Sequence, residues 1–122
     1  MHRRLDVNIT ALFEAGPVRV EGIVKQISEG GLLFYCNEDL IDNSEGIFRL
    51  SVFDNEPAIS LPGRLAYKLS PKHGTALKRY GVRFVDMDES SKEAISRAVR
   101  FATMRQRYYS QARLLGGKNR NG

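Results

Sequence analysis

The stretch "VKQISEGGLLF", residues 24–34, has the pattern of a strand that is interrupted and then resumes. Ser28, Glu29, Gly30 and Gly31 place a hydroxyl, a carboxylate and two residues without side chains between apolar flanks. Such a segment indicates a turn that joins two antiparallel strands. The glycines permit a positive φ, and successive amide groups in such a turn can hold an anion. A β-bulge or hairpin corner that binds nothing is the alternative.

Alternation of apolar and polar residues extends the strand pattern on both sides of this turn. In the first run, Leu5, Val7 and Ile9 alternate with polar residues, as in a half-buried strand. Pro62 favours an edge or a bulge for the fifth run. Six short strands predict a mainly β protein built as a small antiparallel barrel. The predicted strands are residues 5–14, 18–27, 31–36, 47–54, 58–70 and 80–88.

A helical period replaces this alternation near the C-terminus. Ser90 followed by Glu93 has the spacing of a capping box at a helix start. Apolar residues then recur at helical spacing as far as Leu115, and Gly116 and Gly117 suit a helix end. The sequence predicts a single domain over residues 1–115. Its parts are a basic N-terminal segment at 1–4, a barrel at 5–88 and a long helix at 90–115, followed by a flexible tail at 116–122.

Length and hydropathy restrict the class of protein. The 122 residues suffice for one domain and one core. No apolar run approaches the roughly 20 residues that cross a bilayer, and the N-terminus lacks the apolar region of a secretory signal. We therefore expect a cytoplasmic protein that does not insert into membranes.

The residues that usually carry catalysis or bind metals are scarce. Cys36 is the single cysteine, and its place in "LLFYC" favours a buried strand residue over a reactive thiol. His2 and His73 show no metal-site spacing, and no P-loop, nucleophile elbow or zinc-protease motif occurs. The sequence predicts a binding module, with no enzymatic activity, metal or cofactor.

Charge is distributed unevenly along the chain. No acidic residue follows Glu93, whereas seven basic residues do, so the remainder carries 12 bases and 14 acids. A basic C-terminal helix on a mildly acidic body suggests an anionic partner, although a solvated helix face explains the same pattern. Nucleic acid ranks last among the partners, because no RNA-binding or helix-turn-helix motif is present.

Three features together resemble the PilZ domain family over residues 3–104. They are a basic N-terminus that leads directly into the first strand, "QISEGG" at 26–31 after the second, and "YGVRF" at 80–84 before the capped helix. The resemblance implies a six-stranded barrel with a C-terminal helix, and a receptor for the bacterial second messenger cyclic di-GMP.

The resemblance also implies a binding site. The family signature is RxxxR before the first strand and (D/N)xSxxG after the second. Ser28 and Gly31 match the second motif, and Gln26 occupies its Asp/Asn position with a longer carboxamide. Arg4 matches the second arginine, whereas the first would precede Met1. Either Arg3 takes part of its role, or the true start lies upstream of this sequence. The implied ligand-binding residues are Arg3, Arg4, Gln26, Ser28, Gly30 and Gly31.

Two functions follow from this resemblance. In the first, cyclic di-GMP orders the N-terminal segment, and the domain signals to a downstream protein that controls motility, pili or biofilm. In the second, the chain is a PilZ-like protein-interaction module that does not bind the nucleotide. Exposed apolar residues on the long helix also suggest a homodimer through that helix.

Overall fold

Each strand forms where the alternating pattern places apolar side chains on the inner face of a curved sheet. The structure is a computed structural model that describes residues 4–70, 73, 74 and 76–120, with side chains as far as residue 107. Its elements are β1 (Leu5–Ala15), β2 (Val18–Ile27), β3 (Gly31–Cys36), β4 (Glu45–Leu50), β5 (Ile59–Lys68), β6 (Lys78–Phe84) and α1 (Glu89–Arg120). The strands close into an antiparallel barrel in the order β1-β2-β3-β6-β5-β4. The predicted six-stranded barrel with a long C-terminal helix is confirmed.

Three phenylalanines from different strands fill the centre of the barrel. The ring centroid of Phe48 lies 4.7 Å from that of Phe13 and 5.4 Å from that of Phe34, in the tilted and edge-on arrangements that aromatic rings prefer. Cys36 belongs to the same core, and its thiol contacts the carbonyl oxygen of Glu38. Cys36 is buried, as the sequence predicted. This burial raises the pKa of its thiol.

The fourth strand is shorter than predicted at its C-terminal end. It stops at Leu50, which is paired with Ala11 of β1, instead of continuing to residue 54. Phe53 leaves the sheet and packs edge-on against Phe101 of α1, with ring centroids 5.0 Å apart. A contact with the helix therefore replaces strand pairing, and period-2 alternation alone cannot distinguish the two.

Pro62 lies in a strand that is paired on both sides, so the predicted sheet edge is absent. Its carbonyl accepts a hydrogen bond from the amide of Val85, beyond Phe84 at the end of β6. The N–H and C=O of one strand residue point to the same side. The N–H that proline lacks would therefore face the place where β6 has ended, so no ladder hydrogen bond is lost there. The bulge in β5 occurs further along, between Leu65 and Tyr67.

The helix packs against the part of the barrel where strand pairing is incomplete. β1 pairs with β4 only in its C-terminal half, and α1 contacts β1 and β5. Ile95, Ala98 and Ala102 are the helix residues buried in the core. Further along, the side-chain amide of Gln106 donates a 2.9 Å hydrogen bond to the carbonyl oxygen of Asp6. α1 is thus attached to the first residues of β1.

The helix begins one residue earlier than predicted and has a different cap. Glu89 is its first residue, and the carboxylate of Asp88 accepts a 2.7 Å hydrogen bond from the amide of Ser91. Asp88 is therefore the N-cap, and the assignment of that role to Ser90 was wrong. An aspartate at the right distance satisfies the same free amide groups, so two overlapping cap signals compete in this segment.

The helix also extends further than predicted. It continues through Gly116 and Gly117 to Arg120 instead of ending at residue 115. Glycine costs about 1 kcal/mol relative to alanine inside a helix, which weakens the helix without ending it. The last two residues of the predicted tail lie outside the described residues. No helix in the described part of the chain is long and apolar enough to cross a bilayer.

We expect Asp88→Ala to lower the midpoint of thermal unfolding at pH 7 by roughly 2–6 °C. The hydrogen bonds from Ser91 lower the pKa of Asp88 below its ordinary value of 3.8. Its stabilisation is therefore complete above that value and is lost as the pH falls through the lower folded value. Calorimetry at several pH values measures the effect. Ser90→Ala is the matched control and should leave the midpoint unchanged; the reverse ranking of the two variants would refute the cap assignment.

Candidate functional site

A cavity of about 700 Å³ opens at the end of the barrel where β1 begins and β2 turns into β3. Apolar side chains form part of its wall: Ile27, Leu32, Leu33, Ala66 and Val82. The groups with hydrogen-bonding or charged side chains are Arg4, Gln26, Ser28, Tyr67 and Arg83, and Gly30 and Gly31 expose backbone. Such a concave site with an apolar wall and a few polar groups is typical of a small-molecule pocket.

The structure brings together the residues that the sequence predicted for the site. Arg4, Gln26, Ser28, Gly30 and Gly31 all line this cavity. Arg3 lies outside the described residues. Sequence reasoning missed Tyr67 and Arg83, which reach the cavity from β5 and β6.

Ser28 organises the turn between β2 and β3. Its hydroxyl oxygen accepts hydrogen bonds from the amides of Gly30 and Gly31, both at 3.2 Å, and the hydroxyl donates to the carbonyl of Gly31 at 3.3 Å. The amide of Ser28 donates to that same carbonyl at 2.9 Å. With 7% of its surface exposed, Ser28 is the buried polar residue of the described chain. Its hydrogen-bonding groups are used inside the turn, and a contact between its hydroxyl and a ligand stays a prediction.

The two glycines serve a different purpose from the one predicted. Neither has the positive φ of Gly16 or Gly74, and their amides are occupied by Ser28 instead of being available to an anion. Gly31 is required by close packing, since a Cβ atom there would lie 2.1 Å from the carbonyl oxygen of Val82. Glycine at this position therefore lets β3 approach β6.

Gln26 is oriented by a neighbour on β1. A bulge shifts the β2–β3 register between Val24 and Gln26, and Gln26 is paired with Asp6 on its other side. Its amide nitrogen donates a 3.3 Å hydrogen bond to the Asp6 carboxylate. An ionised carboxylate only accepts hydrogen bonds, so this contact directs the NH₂ group to Asp6. The amide oxygen is then left as an acceptor without a partner among the described residues.

Two arginines give the cavity its charge. Arg4 precedes β1, and Arg83 is paired with Gly31 across the β3–β6 ladder. Neither guanidinium has an ion pair or hydrogen bond within the part of the chain that the structure describes. Elsewhere on the barrel, exposed arginines such as Arg64 are paired with carboxylates. The cavity therefore presents positive charge that no carboxylate of the described residues pairs with.

Tyr67 provides an aromatic surface at the cavity. Its ring covers Gly81, where a Cβ atom would lie 2.1 Å from a ring carbon. The side chain is nevertheless 45% exposed and lines the cavity. A tyrosine that opposes a glycine across two antiparallel strands is a signal that the sequence does not reveal without the register.

No cluster of metal-ligating side chains occurs among the residues that the structure describes. The cavity instead combines free guanidinium groups, an amide oxygen, an aromatic ring and an apolar wall. This combination suits an anionic ligand that also carries flat, hydrogen-bonding rings.

The comparisons with known proteins identify the family. The PilZ domain family matches residues 1–101, so the chain belongs to the PilZ domain family. PilZ domains are ligand-binding regulatory modules, and no catalytic family is indicated. No curated protein matches the chain in sequence.

Several solved structures share this fold. The PilZ domain of YcgR from Escherichia coli, solved with c-di-GMP, is similar with a TM-score of 0.77 at 10% identity, covering 90% of this chain and 95% of that one. The inhibitor of motility MotI/DgrA of Bacillus subtilis gives 0.69 at 10% identity, covering 87% and 50%. The PilZ domain of CeSA from a cellulose-synthesizing bacterium gives 0.60 at 17%, covering 85% and 98%. This chain thus spans about half the length of MotI, and at these identities the likeness shows the fold.

We expect Ser28→Ala to loosen the turn locally. Without the hydroxyl, the amides of Gly30 and Gly31 lose their acceptor, so their hydrogen exchange should accelerate by about tenfold or more. Exchange followed by NMR resolves both amides. Ser60→Ala, at an exposed strand position, is the control and should leave these rates unchanged. Unaltered protection of both glycines in Ser28→Ala would contradict the role assigned to Ser28.

Gly31→Ala should destabilise the whole barrel, because the added methyl group meets the carbonyl of Val82 in the adjacent strand. We expect the free energy of unfolding to fall by about 1–3 kcal/mol, as for overpacked cores. Urea denaturation measures the change. Leu33→Ala, which shortens a half-buried side chain in the same strand, controls for lost packing and should cost less. If Gly31→Ala were as stable as the parent chain, β3 and β6 would not lie close enough to exclude a methyl group at this position.

Proposed function

We propose that this chain is a receptor module for cyclic di-GMP and that the nucleotide binds in the cavity beside the Ser28 turn. The observation that carries the proposal is the joint placement of two unpaired arginines, an oriented amide oxygen and an exposed tyrosine ring in one cavity. Membership of a family with nucleotide-bound structural relatives supports it.

The arginines are suited to the two phosphates of the ligand. Guanidinium groups bind phosphate oxygens through paired, charge-assisted hydrogen bonds, and their planes also stack on purines. Arg4 and Arg83 are both exposed and unpaired within the described chain, so binding a phosphate breaks no ion pair of the protein. Arg83 adds to the arginine set that the family resemblance implied. Arg3 stays a predicted contributor.

The amide oxygen of Gln26 and the ring of Tyr67 are suited to a guanine. Guanine presents N–H donors on its Watson–Crick edge, and the free acceptor of Gln26 complements them. Because Asp6 holds the NH₂ group, the longer glutamine side chain keeps the acceptor that an aspartate or asparagine would offer. The exposed ring of Tyr67 offers a stacking surface.

Ligand binding would reach the helix through Asp6. The Asp6 carboxylate binds Gln26 in the cavity, and its backbone carbonyl binds Gln106 on α1. A ligand that moves Arg4 or Gln26 therefore acts on the residue that anchors the helix. We propose that this movement changes the surface offered to a downstream protein partner. Control of motility, pili or biofilm, in the cytoplasm of a bacterium, is the setting that the sequence predicted.

A protein-interaction module that does not bind the nucleotide is the alternative. It is favoured by the internal use of the Ser28 hydroxyl and of the Gln26 amide nitrogen, since the sequence assigned both side chains to the ligand. A homodimer through α1 is a further alternative for the output. It is the weaker one, because exposed arginines would face each other across the contact.

Isothermal titration calorimetry with cyclic di-GMP tests the proposal. We expect saturable binding that weakens in Arg4→Ala, Arg83→Ala and Gln26→Ala, by about tenfold or more for each arginine, as expected when a charge-assisted hydrogen bond is lost. Arg19→Ala is the matched control, because Arg19 is exposed and lies outside the cavity, and it should bind as the parent chain does.

Two further nucleotides test whether the cavity recognises the guanine bases and the cyclic dinucleotide. Cyclic di-AMP carries the same phosphates without the guanine donors, so it should bind more weakly, and GTP should not compete at equal concentration. Binding that ignores Arg83 and Gln26 would contradict the assigned contacts. Absence of heat at high cyclic di-GMP concentration would overturn the receptor function and leave the protein-interaction module.

A further inference from the structure

The helix α1 has a second, outer apolar face beside its buried one. Its inner face is formed by Ile95, Ala98 and Ala102, which are buried. Phe101 and Met104 belong to neither this face nor the core, and they are 37% and 67% exposed. Phe53 covers part of Phe101, whereas Met104 remains open to solvent. An amphipathic helix that packs on one barrel needs only one apolar face, so the second requires another explanation.

The sequence continues this outer face with coiled-coil spacing. Phe101, Met104, Tyr108 and Leu115 occupy alternating three- and four-residue steps, with Gln111 at the intervening position. The backbone is helical through all of these positions. Such a repeat is the seam along which two helices pack, and one polar residue within it fixes the register. We call residues 101, 104, 108, 111 and 115 the outer seam.

Arginines flank the outer seam on both sides. Arg100 directly precedes Phe101, and Arg107 directly precedes Tyr108. On the other side of the seam, Arg105 follows Met104. Arg100 and Arg107 are exposed and form no ion pair with any residue that the structure describes. Arg97, by contrast, is bound to Glu56 and lies over the ring of Phe53. In coiled coils these flanking positions select the partner through charge.

We propose that the outer seam binds an acidic amphipathic helix of a partner protein. Arg100 and Arg107 would pair with its Glu or Asp residues, and Phe101 and Met104 would pack between its apolar side chains. A second copy of this chain fits poorly, because flanking arginines would oppose arginines in either helix orientation, and like charges across an interface are unfavourable. Nucleic acid would neutralise the arginines and leave the apolar seam uncovered.

This inference deepens the proposed function by naming the chemistry of the downstream partner, and it rests on that function only for its regulation. Binding by the outer seam is tested without nucleotide. Failure of the seam and failure of cyclic di-GMP binding are therefore separate results.

The experiment uses the full chain and a fluorescein-labelled synthetic peptide of four heptads, with Leu at the seam positions and Glu at the flanking positions. Anisotropy is measured at about 0.15 M salt, where charges more than about 8 Å apart are largely screened. A peptide of the same composition with a scrambled heptad order is the reference. We expect the heptad peptide to bind at least about tenfold more tightly than the scrambled one.

Variants separate the seam from general attraction to a basic protein. Met104→Asp and the double variant Arg100→Glu with Arg107→Glu should each weaken binding by about tenfold or more. The double variant should in turn prefer a peptide with Lys at the flanking positions. Ile41→Asp, at an apolar position that is 80% exposed away from the helix, and Lys92→Glu, on the first turn of α1, are the controls and should bind as the parent chain does. Circular dichroism verifies that each variant keeps its helix.

Three outcomes would overturn the inference. Equal affinity for the heptad and scrambled peptides would reduce the effect to non-specific charge attraction. Tighter binding to a duplex oligonucleotide than to the heptad peptide would assign the helix to nucleic acid. Sedimentation that shows a dimer of the parent chain, abolished by Met104→Asp, would assign the outer seam to a second copy.

Discussion

The site depends on the hydrogen bonds that the hydroxyl group of Ser28 makes within its turn. This hydroxyl binds the two amides that follow it, and so sets the path of the chain from β2 into β3. Gly31 then begins β3 so close to β6 that no side chain fits between them. The register that results pairs Gly31 with Arg83 and places that arginine at the cavity. The interruption in the strand therefore shapes the wall of the cavity through hydrogen bonds within the turn.

The distribution of charge distinguishes the cavity from the rest of the barrel surface. Glu14 is held between Arg49 and Arg19, and its hydrogen bond with Arg49 lowers its pKa. Isolated surface pairs of this kind contribute little to stability, but they give each of these arginines a carboxylate partner. Arg4 and Arg83 have no such partner in the described chain. Unpaired cations on a concave surface attract an anion, so the charge pattern supports a ligand at this end of the barrel.

The fold was predictable because its signals are local and repeated. Alternation, short apolar runs and turn residues located the six strands, and the polar, glycine-containing interruption located the turn at Ser28. What could not be predicted depends on register and on contacts between distant segments. Arg83 and Tyr67 reach the cavity only because β5, β6 and β3 are neighbours in the barrel, and Phe53 left its predicted strand to pack on the helix. The role of Gly31 was likewise hidden, since its nearest obstacle belongs to β6.

NMR titration of the isotope-labelled chain with cyclic di-GMP tests the central claim most directly, because it locates the ligand. The account predicts that the largest chemical-shift changes occur at Arg4, Gln26, Gly30, Gly31, Tyr67 and Arg83, with smaller changes at Gln106 through Asp6. Shifts confined to the outer face of α1, or no shifts at saturating ligand, would contradict the claim that the cavity beside the Ser28 turn is the nucleotide site.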